Sequence, residues 1–561
     1  MEEVLKTAIG DILKELGFPK ISFAISHPEN LMYGDYACNV AMVAAKGAGL
    51  SPREVAEKIQ KALTDQIEYV GKIEVAGPGF LNFYLVRDFF VSETDRILKA
   101  VDDWGTNDSL AGKKYIVEYT DPNPFKEFHI GHLFTNTVGE SIARLCMMQG
   151  ADTKRVNYQG DIGLHVAHAL YGMQKLGLNA DGDFSAGDLG KAYAFGATAY
   201  KTDEEAQKEI REINKKVYDK SDKTINELYE KGRFISLAYF EGIYAVIGTQ
   251  FDAYFFESEG ATKGKELVLS HPEVFVESEG AKVFEGEQYG LHTRVFLNKE
   301  GLPTYEAKEL ALAKMKEDSV GVYDHSIIST ANEIVEYFKV LKKAMSFVYP
   351  DLAEKTEHIG HGMVRLTSGK MSSRTGDVIS ALSFIEEIAG LAQAKIVQAG
   401  VVVANKSLAT DIAIGAIKYA TLRGNISQDT IFDTEKALSF EGDSGPYLQY
   451  THARICSVLE KAKEAGIVGN IEKVGEVPYE VEKVLYRFEE VIKTAFEERA
   501  PHKVVTYLTQ LAGMFNTFYA HEKIADVSDE YAPYKVAIAQ AVGQTLKNGL
   551  WVLGIKAPTS M

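Results

Sequence analysis

The sequence predicts a multidomain α/β protein: a small α/β domain, then a doubly wound parallel sheet, then an all-helical tail. Three observations carry this. The chain has 561 residues, enough for three or four domains at roughly 150 residues each. The run Tyr115-Ile116-Val117-Glu118-Tyr119 is strand-like, and a Pro/Asn turn and a helical pattern follow it. Strand, turn and helix in that order open a doubly wound fold. After residue 380 the chain reads almost entirely as helix, with apolar residues at helical spacing.

Each element has its own justification. Leu5, Ile9, Ile12 and Leu16 predict a first helix. Ser51-Pro52-Arg53-Glu54 is a capping box, with Ser as N-cap, Pro at the first helical position and Glu three residues on. Leu81, Phe83 and Leu85 alternate with Asn82 and Tyr84, as in a half-buried strand. Residues 101–114 are polar and turn-rich, so the first domain is read as 1–105. Ile130, Leu133, Val138, Ile142 and Leu145 predict the helix after the turn. Residues 200–235 are densely charged, with Ile210, Ile213 and Val217 on one face, which predicts a solvated helix over the core. Leu485, Phe488, Ile492 and Ala495 form one late stripe. Val504, Leu508, Leu511, Phe515 and Phe518 form another after Pro501, together predicting a bundle.

Composition sets the class. With 46% hydrophobic and 25% charged residues, disordered and fibrous chains are excluded. Cys38, Cys146 and Cys456 are far apart and odd in number, which excludes a disulfide scaffold and a Cys-paired zinc site. No apolar run reaches transmembrane length, and the start, Met1-Glu2-Glu3-Val4, is unlike a signal peptide. A cytoplasmic protein with no membrane partner is expected. The net charge of −18 argues against indiscriminate nucleic-acid binding, although local patches can still meet phosphates.

The common phosphate signals, G-x-x-x-x-G-K-[ST] and G-x-G-x-x-G after a strand, are absent. The candidate in their place is Pro124-Phe125-Lys126-Glu127-Phe128-His129-Ile130-Gly131-His132. It lies where strand hands over to helix, and helix N-termini collect anions. His129 and His132, three apart, share a helix face. Gly131 removes a side chain that would keep a flat base off the backbone. A second candidate is the glycine-bracketed basic loop Gly369-Lys370-Met371-Ser372-Ser373-Arg374-Thr375-Gly376-Asp377. Taken singly, the plain alternatives are a pair of surface histidines and a solvated turn.

Together the two segments resemble the HIGH and KMSKS-like motifs of class I aminoacyl-tRNA synthetases, and their surroundings resemble the arginyl-tRNA synthetase family. Glu118-Tyr119-Thr120-Asp121-Pro122-Asn123-Pro124-Phe125-Lys126 is similar to that family's E-F-x-x-P-N-x-x-K lead-in. His358-Ile359-Gly360-His361-Gly362-Met363-Val364-Arg365-Leu366 resembles its approach to the signature loop. Tyr447-Leu448-Gln449-Tyr450-Thr451-His452-Ala453-Arg454 is similar to the opening of its anticodon-binding helices. Gly34-Asp35-Tyr36-Ala37-Cys38-Asn39 and Gly77-Pro78-Gly79-Phe80-Leu81-Asn82-Phe83 resemble landmarks of its N-terminal domain.

The resemblance implies an ATP-dependent ligase that joins L-arginine to tRNA through an arginyl-adenylate, with Mg²⁺ on the phosphates and no protein-bound structural metal. It implies a monomer with three parts: an additional tRNA-binding domain at 1–105, a Rossmann-like catalytic domain at 106–380 with an insertion at about 175–300, and a helical domain at 381–561 whose anticodon-binding bundle spans about 440–561. His129, His132, Lys126, Lys370 and Arg374 are the implied catalytic residues. Gly131, Met371, Ser372 and Ser373 join the histidines at ATP. Glu118, Asn123, Tyr305, Glu309 and Glu333 are implied at arginine, because carboxylates match a guanidinium bidentately. Phe80, Asn82, Tyr519 and Trp551 are implied at tRNA.

The family pattern is not matched throughout. Ser373 stands where the general class I loop has a second lysine, and Lys126, ahead of the first histidine, is expected to carry that charge. Glu309 replaces a frequent aspartate and Glu333 a frequent glutamine, and the chain ends Thr559-Ser560-Met561 where Arg-Met is common. Two rival readings are a different class I synthetase and a catalytically silent RNA-binding paralogue. The cysteine set cannot build the zinc site of the cysteinyl enzyme, and a silent copy has no use for the intact histidines.

Overall fold

The structure, a computed structural model, describes residues 1–367, 379–398 and 406–561. At its centre is a sheet of five parallel strands: β1 (Lys114–Glu118), β2 (Asp152–Gln159), β3 (Ala253–Phe256), β4 (His325–Ala331) and β5 (Thr356–His361). Their spatial order is β3-β2-β1-β4-β5, so the order reverses between β1 and β4. In open α/β sheets that reversal opens a crevice beyond the strand ends, where ligands bind.

The apolar run of β1 is explained by burial on both faces. Val117 joins the cluster around helix α1 (Ile130–Met148), whose Ile130, Leu133, Val138, Ile142 and Leu145 are all buried as predicted. Ile116 points the other way, into the cluster built by Leu310 and Ala311 of helix α2 (Tyr305–Val320). A Cβ on Gly139 of α1 would collide with the Tyr119 side chain, so this glycine lets α1 lie directly against the end of β1.

Between β2 and β3 the chain inserts the helices Leu164–Lys175, Ala186–Thr202, Glu204–Asp219 and Lys223–Ile247. In the third, Ile210, Ile213 and Val217 face inward and the charged residues face out, matching the expected solvated helix. Asp161, fully buried just after β2, ties the insertion down. It accepts from Arg233 Nε, Ser258 N and Ser258 Oγ, each at 2.8 Å, and from the Tyr229 hydroxyl at 3.3 Å.

The N-terminal domain is a four-stranded antiparallel sheet with helices. The Ser51 capping box forms as expected: Ser51 N donates to Glu54 Oε2 at 2.8 Å and Glu54 N to Ser51 Oγ at 3.3 Å. The first helix, Glu2–Glu15, differs from the expected stripe, since Leu5, Ile9 and Leu13 are buried while Leu16 lies past its end, exposed. Leu13 is the i+4 neighbour of Ile9 and takes the inward position. Among its described residues the tail is built of helices apart from the short strand Thr430–Phe432, which pairs in parallel with Val364–Leu366.

The N-terminal domain also reaches the tail. His27 Nε2 and Tyr36 OH meet the Glu490 carboxylate at 2.8 and 2.6 Å, and Arg87 Nη1 pairs with buried Glu482 at 2.8 Å. The polar segment 101–114 is packed in part, with Asn548 Nδ2 donating to the carbonyl of buried Trp104 at 2.9 Å. No helix among the described residues is long and apolar enough to cross a membrane.

Candidate active site

The loop from β1 to α1 lies at the order reversal and has an unusual backbone. Thr120, Asp121 and Phe125 have φ of 83°, 44° and 68°, a left-handed region that non-glycine residues rarely occupy and that clusters at functional sites. Hydrogen bonds hold each in place. Asn136 Nδ2 donates to Thr120 Oγ1 at 3.0 Å, Tyr158 N to Asp121 Oδ1 at 2.8 Å, and Phe125 N to Ser236 Oγ at 2.9 Å.

This loop delivers His129 to the N-cap of α1, with His132 one turn on. The rings stack with centroids 3.7 Å apart. His129 N donates to His132 Nδ1 at 3.3 Å, which puts the proton of a neutral His132 on Nε2, free to donate outward. Burial, and then the nearby Lys126 charge, lowers the His129 pKa to about 4. Burial, His129 and Lys126 push His132 well below the ordinary range. Both rings are therefore neutral donors at pH 7. A Cβ at Gly131 would come within 2.9 Å of the His129 ring, so the glycine protects the stacked pair itself, a reason beyond the open backbone inferred from sequence. The Lys126 ammonium rests 4.7 Å from the ring centre of Tyr193, on the insertion.

Lys370, Met371, Ser372, Ser373 and Arg374 lie outside the described residues. The chain after them runs beside the histidines: Ile130 N donates to Ile379 O at 3.2 Å and Ala381 N to Phe128 O at 2.8 Å.

A group of acids gathers where β1 ends and its loop begins. Glu118 ends β1 and forms a 2.5 Å ion pair with Lys316 of α2, both side chains 2% exposed. Glu309, on the same helix, is 9% exposed. Asp121 and Glu309 have carboxyl pKa values raised well above normal, first by burial and then by the Glu118 charge. Glu257, which begins the helix after β3, pairs with Lys308 at 2.5 Å. Asn123 and Glu257 converge on Gly160, where a Cβ would collide with Asn123 Oδ1 and lie 3.1 Å from Glu257 Oε1. Tyr305 opens α2 with its ring exposed and the Lys308 ammonium 4.9 Å from its centre. Glu333 lies on the exposed turn after β4.

The structure thus gathers Glu118, Asn123, Tyr305 and Glu309 around the Glu118–Lys316 and Glu257–Lys308 pairs, and the loop that carries Asn123 runs on to His129 and His132. Sequence reasoning missed Asp121, Glu257, Lys308 and Lys316. Their signal was charge inside an apolar setting: Lys308 and Lys316 flank Leu310-Ala311-Leu312-Ala313, and lysine is rarely buried without a partner.

The residues expected at tRNA are dispersed. Phe80 is 38% exposed on its strand, while Asn82 beside it is 5% exposed. Tyr519 is 40% exposed and stands 5.5 Å from the Arg454 guanidinium, which also lies 4.8 Å from the Tyr450 ring. Arg454, Tyr447, Tyr450, Asn516 and Met561 line a cavity of about 560 Å³. Trp551 is held elsewhere, its ring 5.0 Å from the guanidinium of Arg144 on α1 and its carbonyl accepting from Arg144 Nη1 at 2.7 Å.

Three family models match successive parts of the chain: an arginyl-tRNA synthetase N-terminal domain over residues 3–85, a class I tRNA synthetase (R) catalytic domain over 96–434, and a DALR anticodon-binding domain over 448–561. The arginine–tRNA ligase of Clostridium kluyveri is 30% identical over 98% of this chain and 97% of its own. That of Oenococcus oeni is 29% identical over 97% of this chain and 96% of its own. The fold superimposes on Thermus thermophilus arginyl-tRNA synthetase with a TM-score of 0.81 at 26% identity, covering both chains fully.

Proposed function

The chain belongs to the class I arginyl-tRNA synthetases, ATP-using arginine–tRNA ligases, and from that premise we propose how its own residues carry the reaction. An arginine carboxylate oxygen attacks the α-phosphorus of ATP, and pyrophosphate leaves. The terminal 2′-hydroxyl of tRNA then attacks the aminoacyl carbon, and AMP leaves. Such phosphoryl chemistry needs alignment and charge neutralisation more than a protein base. The neutral His129 and His132 hydrogen-bond the phosphates at the α1 N-terminus, where the helix dipole also favours negative charge. Lys126 supplies a cation from the preceding loop, and Lys370 and Arg374 supply the rest from the signature loop. Mg²⁺ arrives with the ATP phosphates; among the described residues no group of three His, Cys, Asp or Glu could hold a metal.

One observation carries the choice of arginine. Among the described residues, Glu118, Asp121 and Glu309 converge with one compensating cation, Lys316. A buried excess of carboxylate calls for a cationic ligand, and a guanidinium can bridge two carboxyl groups at once. Asn123 holds the substrate's polar end, Tyr305 flanks the pocket, and Glu333 meets the arginine from the exposed turn after β4. Phe80, being exposed, is better suited than Asn82 to stack a tRNA base, and Tyr519 with Arg454 offers a second stacking platform. Trp551, under Arg144, joins bundle to α1. Residues 1–105 and about 440–561 grip tRNA on either side of the catalytic 106–380, in a cytoplasmic monomer.

Pyrophosphate exchange with each amino acid in turn, with and without tRNA, tests this reading. Arginine alone is expected to support exchange. Exchange with lysine or citrulline at arginine's rate would reject the substrate, and none under any condition would favour a silent paralogue.

A further inference from the structure

Among the described residues the acidic pocket holds more carboxyl groups than cations. Lys316 lies 2.5 Å from Glu118, and Lys308 lies 2.5 Å from Glu257. Asp121 receives the Tyr158 amide proton at 2.8 Å. Glu309 differs from these three. Among the described residues it has no ion-pair partner within 4 Å and no hydrogen-bond donor, yet it is buried. The groups facing it are Glu118 and Asp121 from β1 and its loop, Tyr158 from β2, Glu257, Tyr337 from the helix Val335–Val348, and Lys316 from its own helix. The single cation in that set is already bound to Glu118. A buried carboxyl with acidic neighbours and no donor avoids ionisation by keeping its proton.

Resting on the arginine reading of this pocket, the geometry points to a proton held on Glu309 in the empty site and expelled to solvent when the substrate guanidinium arrives. No covalent bond other than the O–H bond breaks: a neutral acid and a guanidinium cation become a carboxylate–guanidinium pair and a free proton. The guanidinium supplies the charge that Lys316, committed to Glu118, does not. Binding coupled to proton release strengthens as pH rises, because alkaline solution removes the released proton.

Titration calorimetry of the whole chain with L-arginine tests this, near pH 7, in buffers of different ionisation enthalpy. The expected result is a buffer-dependent enthalpy corresponding to release of about one proton, with arginine affinity rising by up to roughly tenfold between pH 6 and pH 7. Glu309→Gln is expected to bind arginine with a buffer-independent enthalpy and a flat pH profile. Because that variant can fail to fold, infrared difference spectra of the parent give a second reading: the carbonyl stretch of a protonated carboxyl should vanish on adding arginine. Measurable binding with no proton release, an unchanged carboxyl stretch, or a folded Glu309→Gln that still releases a proton would overturn the inference while leaving arginine as substrate. No arginine binding to the parent in any buffer would remove both.

Discussion

Lys126 was expected to replace the charge that Ser373 lacks, and its surroundings sharpen how that can be tested. The ammonium rests on the Tyr193 ring, which fixes it close enough to depress both histidines. Lys126→Ala is expected to slow arginine activation by a factor on the order of 10²–10³, measured as pyrophosphate exchange with the melting temperature unchanged. Tyr193→Leu removes the support and not the charge. Because a cation–π contact at a partly exposed site contributes about 1 kcal/mol, its activation should fall only a few-fold. Equal losses in the two variants would mean that the ring, and not the ammonium, matters. At Lys316 the expectation concerns stability. Both members of its pair with Glu118 are buried, and removing one partner of such a pair typically costs about 3–5 kcal/mol. Lys316→Met should lower denaturant stability by that amount. The double variant Lys316→Met with Glu118→Gln should regain much of it, since no lone charge remains.

At the scale of elements, Asp161 is the pin between sheet and insertion. It takes four hydrogen bonds from three residues on two helices, one donor being the Arg233 guanidinium. Asp161→Ala leaves that arginine without its carboxylate and the Ser258 amide without its acceptor, and about 3–5 kcal/mol should be lost. Hydrogen exchange should then rise in Lys223–Ile247 before it rises in β1; a uniform rise would argue that Asp161 does not act locally. Legibility in the sequence follows the range of the contact. Ser51 and Glu54, His129 and His132, and the α1 stripe are local patterns, and local geometry decides them. The Glu118–Lys316 and Glu257–Lys308 pairs are not local. Each joins a residue at or just past a strand end to one on α2, and no periodicity in the sequence announces which strand end a helix will cover. The short strand Thr430–Phe432 escaped for the same reason, since its ladder partner is Val364–Leu366.

For the whole molecule, Glu357 of β5 joins the catalytic sheet to the helical tail. It accepts from Arg499 Nη2 at 3.0 Å and Nε at 3.3 Å, and His325 Nε2 lies 2.7 Å away. Burial alone would raise its carboxyl pKa, but the hydrogen bonds from His325 and Arg499 outweigh that and hold it at about 2. A folded-state value below the unfolded one gives stability that is complete above about pH 4.5 and is lost as pH falls toward about 2. Glu357→Gln should therefore be less stable than the parent at neutral pH and lose less on acidification through that window. Parallel acid-unfolding curves for the two proteins would contradict this.

The contact between the two outer domains has a further consequence, for the order in which the chain is made. His27, Tyr36 and Arg87 find their partners in Glu490 and Glu482, nearly at the opposite end of the polypeptide. At 5–20 residues per second, the ribosome needs on the order of 20–80 s to build what lies between. Throughout that interval the first domain has left the exit tunnel with its docking face uncovered. Its core around Leu5, Ile9, Val55, Ile59, Leu81 and Phe83, which still lacks the Tyr486 ring that packs into it, has to keep it folded until the last helices appear. A mutation that loosened this small core would do its damage on the nascent chain, as lost yield, before any finished enzyme existed to be assayed.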